Sequence, residues 1–441
     1  MTKKGRIVAA LLLLLSLLFC QSCSPGAETA PNELTLSGGM GGNELAQRAA
    51  AAKQITVKET EDFFFTDTML LDRLVTHDDR VDIYYVEGNM VSTRIIFRKD
   101  FAAPITQPEL RASIEGMYAP IRDAVMHGEM VMGMPIMSST EESCLAYHLD
   151  VYEACREVGY TLPGSWLQLL EQIAQWDEEL WHQQISPIHM TARMLVQTSL
   201  DYVMAQQQAR GEEADFSSEE VVTVVEAAYR AAKNMEEHQA DQKERSLFWR
   251  QGLTVAHAEA DGFHTYPLPL REGETPVIPL RVCVAFINPY SKKQGLAQEF
   301  LAAYYQQMDP MMQMALSLQA HQPVEDASAV ERMNQLKGTI AWLEGLLAEP
   351  DSEWNRKDLE SQLAESRQQL EQAAQNRYLV DDDSLTAYAQ SIQHGVVLDE
   401  QLWQEQSVSR LMDQLLQGQL TPHDFCQELN RVIQMKNAEN R

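Results

Sequence analysis

Apolar residues near the start of the folded sequence fall in short alternating runs, separated by stretches of helical spacing. Glu33-Leu34-Thr35-Leu36 reads as a strand, followed by the glycine-rich turn Ser37–Gly42 and a short helix over Asn43–Lys53. Gln54–Lys58 is a second strand. A helix over Thr66–Leu74 leads to a third strand at Val81–Val86. This β-α-β-α-β order predicts an α/β sheet with parallel strands.

A helix is predicted over Pro108–His127. The apolar run Met130–Ser139 reads as a buried strand and loop. Cys144–His148 reads as a strand and Leu149–Val158 as a helix. Residues 163–260 read as largely helical. Arg281–Ile287 is strongly strand-like, with a turn at Asn288–Ser291 and a helix over Lys293–Tyr305. Between 328 and 377 the spacing changes. Val330, Met333, Leu336, Ile340 and Leu343 follow a 4-3 repeat, as do Leu359, Leu363, Ser366, Leu370 and Ala373. The two runs break at Glu349–Ser352, which predicts a helical hairpin with a structural role. Near the end, Gly418 closes one helix, Thr421 caps the next and Pro422 takes its first position.

The amino terminus adds a cellular address. Lys3, Lys4 and Arg6 precede the apolar stretch Ile7–Phe19, a length that suits a signal peptide and is short for a membrane span. Cys20-Gln21-Ser22-Cys23 follows and resembles a bacterial lipoprotein signal. Cys23, with the small Ser22 before it, is the expected lipidation site; Cys20 stands at −3, where an aliphatic residue is usual. Residues 24–32 (SPGAETAPN) read as a flexible tether. The expected location is therefore the outer face of the cell membrane, through a lipid anchor.

The formal charge is −29, and the signal segment carries Lys3, Lys4 and Arg6, so the remainder is more acidic still. Such a surface repels phosphate backbones, which argues against nucleic acid as a partner. Cys144, Cys155, Cys283 and Cys426 follow no metal-ligand spacing; a Cys144–Cys155 disulfide and four buried thiols both remain open. The sequence holds no nucleophile elbow, phosphate loop, dinucleotide fingerprint or HExxH motif. The turn Ser37–Gly42 lacks the spacing of a nucleotide loop. His182/His189 and His257/His264 lie seven apart without a third ligand, and Asp381–Asp383 lacks the alternation of a calcium loop. The pattern favours binding over catalysis, with no cofactor and no metal.

Several segments, in order, resemble the extracellular solute-binding proteins of ABC importers, family 1, sugar type. These are GEMVMGMPIMSS (Gly128–Ser139), LAYHLDVYEACREVGYTLPGSWLQLLE (Leu145–Glu171), TYPLPL (Thr265–Leu270), VAFINPYSKKQGLAQEFLAAYY (Val284–Tyr305) and LLQGQLTPHDFCQELNRVIQM (Leu415–Met435). The resemblance implies a two-lobed periplasmic-binding-protein-like (type 2) α/β clamshell with a helical C-terminal region. Lobe 1 is expected at 33–132 plus 281–326. Lobe 2 is expected at 133–280 plus 327–441, including the hairpin 328–377. The implied partners are a polar solute, such as an oligosaccharide, held by hinge closure, and the permease subunits of an importer, with the chain acting as a monomer.

In open α/β sheets, ligands lie beyond the carboxyl ends of the strands. Sugar sites pair aromatic faces with hydrogen-bonding groups. Together these pick Phe64, Asp82, Tyr85, Asn89, Ser139, Trp249 and Tyr290 as ligand-binding candidates, with Phe63 and Phe65 as further aromatics beside Phe64. Trp166 and Trp181 read as core. Two other readings stay open: a sensor or scaffold lipoprotein that uses the hairpin for docking, and an extracellular hydrolase with two carboxylates across a cleft.

Overall fold

A computed structural model describes residues 31–60, 67–87, 92–140, 144–255, 263–348, 356–398 and 401–439. The signal segment, Cys23, Phe63, Phe64, Phe65 and Asn89 lie outside the described residues.

The chain opens with β1 (Glu33–Ser37), α1 (Glu44–Lys53), β2 (Thr56–Glu59), α2 (Asp67–Val75) and β3 (Ile83–Val86). Leu34 and Leu36 of β1 are fully buried. Helix α1 starts where the Asn43 side chain accepts from the Ala46 N–H, and ends where Gln54 turns left-handed at φ 55°. Strands β1 and β2 pair in parallel, as do β1 and β3. Next come α3 (Thr93–Arg98), α4 (Pro108–Glu115), α5 (Ala119–Asp123), β4 (Met126–His127), β5 (Met130–Val131) and β6 (Met134–Ser139). The single helix expected over 108–127 is thus broken. Met117 bridges to Ser317, and the Tyr118 N–H donates to Leu316 O at 3.0 Å, so tertiary pairing overrides helical continuation.

A second unit holds β7 (Cys144–His148), α6 (Leu149–Glu157), α7 (Trp166–Ala174), α8 (Glu178–His182), β8 (Ile185–Ile188), α9 (Ala192–Ala209), α10 (Glu219–Glu237), β9 (Arg245–Gln251) and β10 (Phe263–Pro267). Its sheet has the order β10-β7-β9-β8. The expectation of a largely helical 163–260 therefore misses β8 and β9. Fully buried Trp166 donates its indole N–H to Ser199 Oγ at 2.9 Å and stacks on Tyr202.

The chain then returns with β11 (Ile278–Ile287), α11 (Gln294–Gln306), α12 (Pro310–Leu316), β12 (Val324–Glu325), α13 (Ala327–Ala348), α14 (Arg356–Gln375), β13 (Tyr378–Val380), α15 (Asp382–Ile392) and β14 (Gly395–Val397). It ends with α16 (Gln401–Gln404), α17 (Gln406–Leu416) and α18 (Pro422–Glu439). The first sheet runs β14-β11-β3-β1-β2, with β6 also on β11. Strand β11 is antiparallel to both β3 and β6 and parallel to β14.

Two large cores result, and they divide the chain differently from the expected boundaries. Met134 and Ile136 of β6, Ile278 and Leu280 of β11, and Val380, Leu385, Tyr388 and Ile392 all pack in the first core. The second core takes residues from Leu145 to Leu270, apart from Val255 and Leu253, which join the first, and then Leu402 to Ile433. The chain crosses between lobes after 139, after 270 and after 398. Apolar runs show that a strand is buried, but not which sheet receives it. The hairpin α13–α14 has a small core of its own, Leu343, Leu359 and Leu363, and an Arg367–Glu344 ion pair at 2.7 Å. Cys144, Cys155, Cys283 and Cys426 are buried thiols outside any disulfide, so the open Cys144–Cys155 pairing does not form. Burial pushes the thiols of Cys144, Cys155 and Cys426 up to about 12. No helix among the described residues is long and apolar enough to cross a membrane.

Candidate functional site

Strand direction decides which loops can face a shared ligand. In the first lobe β1, β2 and β3 run together, and β6 joins them because both it and β3 oppose β11. Their carboxyl ends bring Ser37, Glu59, Val86 and Ser139 to one rim. In the second lobe β8 and β9 are parallel, and β10 runs with them because both β9 and β10 oppose β7. Their ends bring Ile188, Gln251 and Pro267 to a second rim. The crossings leave from Ser139 and from the β10 end, so both rims lie beside the crossings. A pair of hydrogen bonds ties the first crossing to the segment after β9: Thr140 Oγ1 accepts from the Leu253 N–H at 2.5 Å and donates to Leu253 O at 3.4 Å.

The first rim is built from backbone and short polar groups. Gly38 has φ +81°, and a Cβ there would lie 2.3 Å from Tyr85 O, so this turn accepts only glycine without rearrangement. The Gly39 N–H donates to Glu59 Oε1 at 2.8 Å. Tyr85 sits half-buried one residue before the end of β3. Burial, and secondarily Cys283, push its phenol far above the usual range. Ser139 pairs with Arg281 across the β6–β11 ladder.

The second rim is aromatic. On β9, Phe248 is fully buried while its neighbour Trp249 is 36% exposed, as alternation along a strand requires. His189, just past β8, donates its N–H to Phe248 O at 2.8 Å. Its ring stacks on Trp249 with centroids 4.0 Å apart and planes 24° from parallel. Arg250 points to the other side and donates to Thr198 Oγ1 at 2.7 Å. The result is a rigid aromatic surface at the strand ends.

Three of the expected site residues, Tyr85, Ser139 and Trp249, therefore belong to the two rims. Asp82 and Tyr290 do not. Asp82 precedes β3 and is 5% exposed; it accepts from the Thr35 N–H at 2.8 Å and from Ser291 Oγ at 2.6 Å. Tyr290 follows β11 and stacks on His77 at 4.3 Å. Because β11 is antiparallel to β3, the loop after it lies at the amino ends of the parallel strands. Asn288 fixes it there by donating to Asp78 O and Val81 O. Sequence weighed His189 only as half of the His182/His189 pair, and did not single out Glu59. A strand pattern in RSLFWRQ would have exposed the Trp249 face, and with it the neighbouring end of β8.

A separate cavity of about 940 Å³ opens between the lobes, away from the aromatic pair. Its walls include Ser92, Arg94 and Arg98 near α3, and Gln208, Glu212 and Asp215 at the far end of α9. At the neighbouring crossing, Glu220 pairs with Arg210 at 2.7 Å and with Arg271 at 2.5 Å. The Arg210 hydrogen bond, followed by that of Arg271, holds the Glu220 carboxyl below its usual value. Among the described residues, no group of three His, Cys, Asp or Glu side chains is placed to hold a metal ion.

No known protein family profile matches the sequence, and a search of curated proteins finds no match. Solved structures do match. One is a cyclo/maltodextrin-binding protein complexed with maltotetraose. Its TM-score is 0.53 at 13% sequence identity, over 93% of this chain and 98% of that one. The likeness shows the fold: a periplasmic-binding-protein-like type 2 clamshell.

Proposed function

We propose that this chain is an extracytoplasmic solute-binding protein that holds a carbohydrate between its lobes and delivers it to an ABC importer. The observation that carries this reading is the Trp249–His189 stack, an exposed aromatic surface at the carboxyl rim of the second lobe. Sugar rings present C–H faces that pack on such surfaces, while their hydroxyls need directional partners. The first rim offers those partners. The oligosaccharide complex of the structural neighbour supports the same class of ligand.

A ligand touching both rims binds the closed form better than the open one and shifts the population toward closure. The closed surface is then what the permease subunits would recognise. A lipid on Cys23, with residues 24–32 as tether, would keep the binder beside its transporter. Acyl labelling of the wild type, lost in Cys23→Ala, tests the anchor.

The test of ligand class is a thermal-shift screen of the purified protein against neutral glycans, amino acids and organic acids. A glycan should raise Tm, and Trp249→Ala should weaken that glycan roughly tenfold to a hundredfold. Stabilisation by another class, with no response to any glycan, would overturn the carbohydrate reading.

A further inference from the structure

The cavity of about 940 Å³ beside the third crossing carries opposite charges on its two lobes. Arg94 and Arg98 stand four residues apart on α3 of the first lobe, so they share one helix face. Glu212, Glu213 and Asp215 stand on the second lobe, in the loop between α9 and α10. Arg210 takes up Glu212 at 3.0 Å, which leaves two carboxylates opposite two guanidiniums. Among the described residues, neither Arg94 nor Glu213 has an opposite charge as partner.

The acidic wall is braced from behind. Gln207 Oε1 accepts from the Asp215 N–H at 3.2 Å, and its Nε2 donates to Asp215 O at 3.3 Å. Asn430 of α18 is 9% exposed; it accepts from the Phe216 N–H and donates to Ser217 Oγ, both at 3.2 Å. Asp215 Oδ1 accepts from the Ser217 N–H at 3.0 Å and from its hydroxyl at 2.6 Å. The loop therefore keeps its shape whether or not the cavity is filled. The rest of the lining is apolar, from Ile95, Met204, Leu402 and Ile433, with the side-chain amides of Gln208 and Gln434.

We infer that this cavity is a second binding site and that its ligand is a short zwitterionic peptide with free termini. The peptide carboxylate meets Arg94 and Arg98, whose planar guanidiniums match it. The ammonium at the other end meets Glu213 and Asp215. A dianion or a dication would satisfy one wall and be repelled by the other. Taken as a cube, the cavity is about 10 Å on edge, the reach of about three extended residues. The backbone amides of a peptide suit Gln208 and Gln434, and its apolar side chains suit the aliphatic lining. The site is separate from the aromatic rim and does not depend on the carbohydrate reading. Its walls belong to different lobes, so a bound peptide favours the lobe arrangement that presents both.

The test is calorimetric titration of the full chain with the tripeptide Ala-Leu-Ala, its N-acetyl form and its C-terminal amide. The free tripeptide should bind the wild type with a Kd below about 1 mM. Blocking either terminus should weaken binding about tenfold. Arg94→Gln should weaken the free tripeptide by the same factor of about ten and leave the C-terminal amide unchanged, because that form has no carboxylate to lose. Glu213→Gln should do the same for the free tripeptide and leave the N-acetyl form unchanged. Both side chains are exposed, so the Tm of each variant should match the wild type. No binding of the free tripeptide to the wild type at about 10 mM overturns the inference. So does binding that neither variant weakens, which would put the peptide elsewhere on the protein.

Discussion

The two rims that face the crossings are made of different materials. The first is a glycine turn, a carboxylate and hydroxyls, with one half-buried tyrosine behind them. The second is an exposed indole stacked on an imidazole. The first supplies direction and the second contact area. A hydrogen bond contributes little net free energy yet penalises a wrong partner heavily, whereas apolar contact contributes area with little discrimination. On the proposed function, the contrast would assign selectivity to the first lobe and much of the affinity to the second.

The comparison can be broken most severely in the second lobe. Phe248→Ala removes a fully buried ring from the face of β9 opposite Trp249, beside Tyr147 and Tyr160. A loss of about 3–5 kcal/mol is expected in urea unfolding. A loss below about 1 kcal/mol would mean that this ring does not hold the second core together.

The equivalent change in the first lobe is Gly38→Ala. Positive φ and the approach to Tyr85 O predict a loss of about 2 kcal/mol or more, read by the same unfolding measurement. Wild-type stability in the Gly38→Ala variant would show that the turn is free to adopt another shape.

A smaller effect tests the crossing that joins the lobes. The Glu220 carboxyl has a folded pKa below its unfolded one. Its pairing with Arg210 and Arg271 therefore stabilises the fold above the unfolded value of about 4.5, and the contribution is lost as pH falls through the depressed value. Glu220→Gln should lower stability by about 1 kcal/mol at neutral pH. The gap from wild type should close as the medium is acidified. A gap that stays constant from neutral pH to below 4 would remove this ion-pair network from the account.

The smallest expected effect concerns a region outside the comparison. The hairpin α13–α14 has its own small core, leaves Trp342 56% exposed, and returns to its starting point where the Asp326 N–H donates to Arg377 O at 2.8 Å. Replacing residues 328–376 with a two-glycine link should change glycan affinity less than twofold. A larger loss would place the hairpin in the binding mechanism.

Much of this fold was legible in the sequence. Alternation at Leu34 and Leu36, the 4-3 spacing of the hairpin leucines, and the Gly418–Thr421–Pro422 punctuation each report a local rule that the structure keeps. Strands β8 and β9 were hidden because four and seven residues lie among long helices, where helical periodicity dominates any window. Direction was hidden too. Nothing in Arg281–Ile287 says that β11 runs against β3, and that one fact moves Tyr290 to the far end of the sheet. Asp82 has the chemistry of a site residue, but tertiary contacts with Thr35 and Ser291 claim it. Trp249 was picked by its residue type. His189, its partner, could be found only once β8 and β9 were known to lie side by side.

The most direct test of a site shared by the two rims is a crystal structure of the protein with the tightest-binding neutral tetrasaccharide. The account predicts one sugar ring stacked over the Trp249–His189 pair and hydroxyls reaching the first-lobe rim. Density at the opposite end of the first sheet beside Tyr290, or in the charged cavity beside Arg94, with the aromatic pair bare, would contradict it.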